Sequence, residues 1–485
     1  MDRKHVIAGL GIMLVPGLLQ ATNKKVKETH KEKKMNVLFI LFDDLRPTLG
    51  CYSDPYAITP NMDAIASRGV VFHNAYCQQA VSNPSRASML TGLRPDQTGV
   101  TDLFTNFRIE NPRTVTLPQL FKDNGYYTAG TGKVFHTLKG DFDSVSWTEF
   151  IPLERRGYLL PGSLPPKGGK GVSYEAADVR DNRYPDGEIT DNAVQLIKKA
   201  SKSSDPFFLA IGYIKPHLPF NAPKKYWDMY RDTVFGITHR ERPAGSPEIA
   251  FHNSNELRGY VDIPDKGSFT SELEQELWRG YYACVSYVDT QVGKLLEALR
   301  TYGLEENTII VLWGDHGYHL GEQELWCKST NFELDTRVPL VISVPAAKGM
   351  GAMNTSVVEV VDIYPTLADY CRLESPGELA GLSLKGVIED RGNNWGHMAF
   401  SQFVRPYGAI SKPIKTHMGY SVRTPQWRFT AWYNLATGNI DEKELYLIGS
   451  QGIETRNLAG NPQYTQVEKE LLENVENYKN GIYTK

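Results

Sequence analysis

The chain is poor in cysteine. Five thiols (Cys51, Cys77, Cys284, Cys327 and Cys371) are scattered through 485 residues and no CxxC pair occurs, which excludes a disulfide framework and leaves at least one thiol unpaired. An excess of either charge is also missing: 53 Lys+Arg face 56 Asp+Glu for a formal net charge of −3. Binding of nucleic acid through overall basicity is therefore excluded. No apolar run near the N-terminus reaches the roughly 18–20 residues of a membrane span, and no internal repeat is visible. What is present is 41% hydrophobic and 11% aromatic residues, enough for a packed core and too much for wholesale disorder. The length allows two or three domains, or one large α/β domain with an appendage.

The N-terminus has the form of a secretory signal over residues 1–21. Arg3, Lys4 and His5 are basic, Val6 to Leu19 is apolar, and Leu19-Gln20-Ala21 offers a small residue for cleavage. No cysteine follows to carry a lipid, so an exported, periplasmic or secreted protein without a transmembrane anchor is expected. A lysine-rich linker occupies 22–35. Apolar runs at Asn36–Phe42, Phe207–Tyr213, Thr308–Trp313 and Leu340–Val344 read as buried strands. Between them lies a long helix with a capping box at Ser271 and Glu274 and apolar residues from Leu273 to Leu299. Strands alternating with helices predict an α/β fold with a mainly parallel sheet over 36–389. From 390 to 485 the texture changes. Short strands at Tyr420–Thr424, Trp427–Tyr433 and Glu444–Ile448 and a closing helix at Thr465–Tyr478 predict a smaller antiparallel α+β subdomain.

Four signals carry chemistry. Asp43-Asp44 ends the first strand, and adjacent carboxylates there repel unless a cation lies between them. A turn acid beside a helix cap is the alternative. Gly314-Asp315-His316-Gly317 ends the Thr308–Trp313 strand and suits a metal, an anion or a capped turn. Two acid-bearing strand tips favour a hard cation, Ca²⁺ or Mg²⁺, over zinc. Ser82-Asn83-Pro84-Ser85-Arg86 runs into a short helix closed by Thr91-Gly92, a place for an anion or simply an N-cap at Ser82. Finally, Lys133 with His136, Lys215 with His217, and Lys328 supply cations and proton carriers. Each lysine taken alone would be an ordinary surface residue.

Ser82-Asn83-Pro84-Ser85-Arg86 followed by Thr91-Gly92 resembles the sulfatase signature, in which a Cys or Ser before x-Pro-Ser-Arg becomes formylglycine. Cys77 lacks the following Pro-Ser-Arg, so the match is to the serine type. Asn36–Asp44, Gly132–His136, Lys215–Phe220 and Gly314–Glu322 look like further sulfatase blocks in sulfatase order. Ala80–Arg86, Asp102–Arg108 and Met418–Thr424 resemble the iduronate-2-sulfatase branch, and the likeness runs from Asn36 to about Asn457. The resemblance implies an alkaline-phosphatase-like fold and a sulfuric ester hydrolase. Its implied substrate is the 2-O-sulfate of a uronic acid in heparin- or heparan-sulfate-type glycosaminoglycan oligosaccharides.

The same resemblance implies the residue roles. Asp43, Asp44, Asp315, His316 and modified Ser82 hold one Ca²⁺, and 3-oxoalanine (formylglycine) is made from Ser82 by a maturase of the anaerobic radical type. Arg86 orients the modified residue, while Lys133, Lys215 and Lys328 neutralise sulfate. His217 is the general acid and His136 the base. Apart from the resemblance, a uronate carboxylate needs a cationic partner, for which Arg108, Arg405 and His417 are candidates by charge. A two-zinc phosphoesterase is the rival, and it would need His319, His397 and Asp362 as a second ligand set.

Overall fold

The run that begins at Asn36 is apolar without alternation because it becomes a central strand covered on both faces. The computed structural model describes residues 34–482 apart from 137–142, 154–156, 165–168, 391–394 and 449–451. In it this strand is β1 (Asn36–Asp43). Val37, Phe39 and Leu41 enter the core on one face of the sheet, and Leu38, Ile40 and Phe42 the core on the other, as a period of two requires. The remaining strands of the large sheet are β2 (Val70–Tyr76), β3 (Tyr127–Gly132), β4 (Glu149–Ile151) and β5 (Phe207–Pro216). They are joined by β6 (Thr308–Gly314), β7 (Arg337–Val338), β8 (Leu340–Ser343) and β9 (Ala352–Glu359). The order is β7-β2-β8-β6-β1-β5-β3-β4, with β9 parallel to β2. Neighbours β6, β1, β5 and β3 are all parallel. The expected strand at Leu340 is present as β8, but it runs antiparallel to both β6 and β2.

Helix α1 (Ser82–Thr91) follows β2. Helices α2 (Pro185–Ala200) and α3 (Ser271–Thr301) pack on the face that carries Leu38 and Ile40. The apolar stripe of α3, from Leu277 through Tyr281 and Val288 to Leu299, is buried there. Its cap is Thr270 rather than Ser271: the Thr270 hydroxyl accepts the N–H of Leu273 at 3.3 Å.

The C-terminal part is a four-stranded antiparallel sheet of β10 (Ala399–Arg405), β11 (His417–Arg423), β12 (Trp427–Asn434) and β13 (Ile440–Leu447) in sequence order. Helix α4 (Thr465–Lys479) closes it. Phe403, Val422, Phe429 and Val475 share one core with Phe39 of the large sheet, and Lys34–Lys485 forms a single compact unit. The fold is thus alkaline-phosphatase-like, a mostly parallel sheet with helices plus a C-terminal antiparallel sheet. The expected signal segment 1–21, and the linker 22–35 except its last two residues, lie outside the described residues. Among the described residues no helix is long and apolar enough to cross a membrane.

Candidate active site

Four adjacent parallel strands, β6, β1, β5 and β3, end at one edge, where open α/β sheets bind ligands. Each releases charged groups at that edge: Asp315 and His316 after β6, Asp43 and Asp44 at the tip of β1, Lys215 and His217 at the end of β5, Lys133 and His136 after β3. Successive side chains of an extended strand point to opposite faces. Asp44 departs from that rule with a φ of 64°, the left-handed conformation that costs an ordinary residue strain and recurs at functional sites. Lys133 reaches the edge through a close crossing: a Cβ on Gly132 would lie 2.1 Å from Gly212 O, and one on Gly212 would lie 2.1 Å from the Lys133 carbonyl. Only glycine fits at either position.

Ser82 is the first residue of α1, with Val81 as its cap, so its side chain is free of capping duty. The Ser82 hydroxyl donates to Asp43 Oδ1 at 2.8 Å and lies 3.2 Å from His316 Nε2 and 3.5 Å from Lys133 Nζ. One turn on, buried Arg86 donates from Nε to Asp315 Oδ2 at 2.8 Å and from Nη1 to the Lys133 carbonyl. Lys133 Nζ is paired with Asp43 Oδ2. Burial works against charge on Asp43, but Lys133, His217 and Arg86 outweigh it and hold the carboxyl well below its ordinary range. Asp44 fares differently. Burial and the like charges of Asp43 and Glu256 push it up to about 6, against the pull of His217 and Lys328.

Asp43, Asp44, Asp315 and His316 bring one ligand atom each within 4.8 Å of one another. Asp44 Oδ1 is buried with no hydrogen-bond partner, and a fully buried, unsatisfied carboxylate oxygen is what a cation relieves. His316 Nδ1 lies 3.0 Å from the Gly317 carbonyl. A carbonyl only accepts, so Nδ1 carries the proton and Nε2 offers its lone pair to the cluster. Burial lowers the pKa of His316 and keeps it neutral. Three carboxylates and one imidazole fit a hard divalent cation. Among the described residues His319, His397 and Asp362 are not brought together as a ligand group: His319 is bonded to Asp335 and Gln323, and Asp362 accepts the N–H groups of Glu359 and Leu382.

The cationic side differs from the sequence reading at one lysine. Lys328 Nζ contacts Asp44 Oδ2 at 3.0 Å, presented by a loop whose Cys327 and Ser329 have φ of 74° and 96°. Lys215, expected to neutralise sulfate, instead donates to the carbonyls of His217 and Pro219, both at 2.6 Å. Its ammonium ties down the turn that carries His217. That ring is fixed on one side by a 2.6 Å contact from Nδ1 to the Leu218 carbonyl, and its Nε2 faces Glu256 at 3.2 Å. His136 is pushed down to about 2, by burial first and by the charge of Lys133 second, and so stands neutral. It walls a hollow together with Asn83 and the Leu103–Phe107 loop.

The three carboxylate-binding candidates each have partners within the protein. Arg405 is buried and donates to the carbonyls of Ile249, Ala250, Ser329 and Val404. Arg108 is paired with Asp143, and His417 lies on β11 against Asp441 at 3.0 Å. Sequence reasoning missed Glu256, which bridges Lys328 and His217. It sits in a short helix, Asn255–Arg258, with no strand tip or glycine turn to mark it.

With this geometry in hand, the likeness to known proteins can be placed. The sulfatase family model matches residues 35–372, and that of the N-sulphoglucosamine sulphohydrolase C-terminal region matches 321–481. Iduronate 2-sulfatase of Homo sapiens is 32% identical, covering 94% of this chain and 96% of its own length. Its Mus musculus counterpart is 34% identical over 89% and 92%. A solved protein in complex with its substrate D-glucosamine-2-N,6-O-disulfate superposes with a TM-score of 0.75 at 25% identity, covering 92% of this chain and 98% of that one. The chain belongs to the sulfatase family and is a sulfuric ester hydrolase.

Proposed function

We propose that this sulfatase removes 2-O-sulfate from uronic acid residues, iduronate or an unsaturated hexuronate, in heparin- or heparan-sulfate-type oligosaccharides, and that it acts after export. The observation that carries the substrate class is the 32% identity to human iduronate 2-sulfatase across 94% of the chain. Export rests on the basic and then apolar N-terminus.

Asp43, Asp44, Asp315 and His316, with the side chain at position 82, would hold Ca²⁺, which when bound supplies electrostatic stabilisation of charge on oxygen. Formylglycine made from Ser82 by a maturase would, once hydrated by one water, supply two hydroxyls on one carbon, one to attack sulfur and one whose deprotonation expels sulfate and restores the aldehyde. The other residues then have separable tasks. Arg86 fixes Asp315 at 2.8 Å and so sets the floor of the site. Lys133 and Lys328 neutralise sulfate oxygens. His217, anchored through Nδ1, delivers a proton from Nε2 to the departing sugar oxygen. His136 accepts a proton, its low starting value raised by the bound anion beside it. Lys215 serves through the turn it holds.

The test is sulfate release from 2-O-, N- and 6-O-sulfated disaccharides, using protein co-expressed with a formylglycine-generating maturase. Preferential release from the 2-O-sulfated uronate is expected. Preference for the N- or 6-O-sulfate would overturn the substrate reading.

A further inference from the structure

Glu256 carries no role in the tasks assigned above, yet its carboxylate lies inside the cluster. Its Oε1 is 2.7 Å from Lys328 Nζ and 3.2 Å from His217 Nε2. Lys328 Nζ reaches Asp44 Oδ2 at 3.0 Å, and His217 Nε2 lies 4.0 Å from the same oxygen. Asp44, Lys328, Glu256 and His217 therefore close a ring of alternating basic and acidic groups. The basic members come from separate segments, the turn after β5 and the loop after β6, and no contact between the two is needed to hold them. Each instead shares the Glu256 oxygen. Two basic groups brought together in a mostly buried place repel when both are charged, and one carboxylate between them offsets that repulsion. Burial opposes charge on Glu256, but Lys328 and His217 outweigh it and hold the carboxyl well below its ordinary range.

Resting on the sulfatase reading, we propose that Glu256 is a positioning residue for sulfate-ester cleavage, clamping His217 Nε2 and Lys328 Nζ toward one point so that the leaving oxygen and the sulfate arrive at preset partners. The clamp acts on the two steps differently. Through Lys328 it affects how well the sulfate is held, whatever the alcohol. Through His217 it affects proton delivery, which a sugar alkoxide needs and a phenolate of low basicity does not. A carboxylate that only stabilised the loop would change both substrates alike.

The experiment compares wild type with Glu256→Gln and Glu256→Asp as matured full-length enzyme. Two substrates are used, an aryl sulfate and whichever sugar sulfate the wild type cleaves best. Glu256→Gln should lower kcat on the sugar sulfate by about 10- to 100-fold, as a misplaced proton donor does. On the aryl sulfate kcat should fall by less than about threefold, with KM rising similarly for both. Glu256→Asp, which keeps the charge, should recover part of the sugar-sulfate rate. Equal kcat losses on both substrates, no loss on either, or no recovery with Asp would overturn the clamp. The uronate reading fails separately, in which sugar sulfate the wild type prefers; the clamp fails in the ratio between the two substrates.

Discussion

Two fully buried carboxylates in this molecule, Asp44 and Glu333, have opposite characters. At the strand tips Asp43, Asp44 and Asp315 crowd together, and the strain falls on Asp44. Burial and its acidic neighbours push it up to about 6, and its Oδ1 has no hydrogen-bond partner. In the seam between the large sheet and the C-terminal sheet, Glu333 is equally buried. There burial is outweighed by Arg423 and Arg428, at 3.0 and 2.6 Å, and the carboxyl is lowered to about 2. Tyr76 occupies its other oxygen at 2.7 Å. Burial is common to both, so burial does not make a site. What separates Asp44 from Glu333 is how their oxygens are met: both oxygens of Glu333 have partners in Tyr76, Arg423 and Arg428, whereas Asp44 Oδ1 has none.

The sharpest way to break that comparison is to remove the group the tips are built around. Ser82→Ala should lower sulfatase kcat by at least about a thousandfold, as loss of a nucleophile does. The thermal midpoint should stay within a few degrees of wild type, because the hydroxyl is neither a cap nor a core group. Turnover by Ser82→Ala within about tenfold of wild type would sink the assignment of Ser82 as the source of the nucleophile. The seam should behave in the reverse way. Glu333→Ala takes the carboxylate from buried Arg423 and one of two from buried Arg428, and should cost about 3–5 kcal/mol in a urea titration, while the still-folded fraction keeps its kcat. A drop in kcat without loss of stability would mean the seam belongs to the active site after all.

The contrast also explains what was legible in the sequence. The strand tips announced themselves because a long apolar run followed at once by Asp43-Asp44, or by Gly314-Asp315-His316, is a local pattern. The seam did not, since Glu333, Arg423 and Arg428 are ordinary residues on three segments until the fold brings them together. Strand β3 was hidden for a different reason. Gly130 and Gly132 weaken its β signature; Gly132 is there because the backbone passes within contact of Gly212, while a Cβ on Gly130 would press on the Phe150 ring at 3.0 Å. Lys-x-His looks like two site groups, and only the three-dimensional turn shows that the Lys215 ammonium is turned toward the His217 and Pro219 carbonyls. The carboxylate candidates Arg108, Arg405 and His417 were picked by charge alone, and charge cannot show whether a partner such as Asp143 or Asp441 already faces it.

The most modest effect isolates the two carboxylates best, because Asp44 and Glu333 should answer pH with opposite signs. Asp44 has a folded value of about 6 against an ordinary 3.8, so between those values the folded, metal-free protein binds the extra proton. That contribution to stability is fully present below about 4 and is lost as pH rises through about 6, a change of up to about 3 kcal/mol. Glu333, depressed to about 2 from an ordinary 4.5, contributes stability that is present above about 4.5 and lost as pH falls toward 2. In chelator-treated protein, Asp44→Asn should therefore match wild type near pH 4 and exceed it in urea midpoint at pH 7.5. Added Ca²⁺ should then raise the wild-type midpoint and leave that of the variant nearly unmoved. A difference between the two proteins that stays flat from pH 4 to 7.5 would mean Asp44 is as well matched as Glu333, and the strand tips would lose their claim to be held ready for a cation.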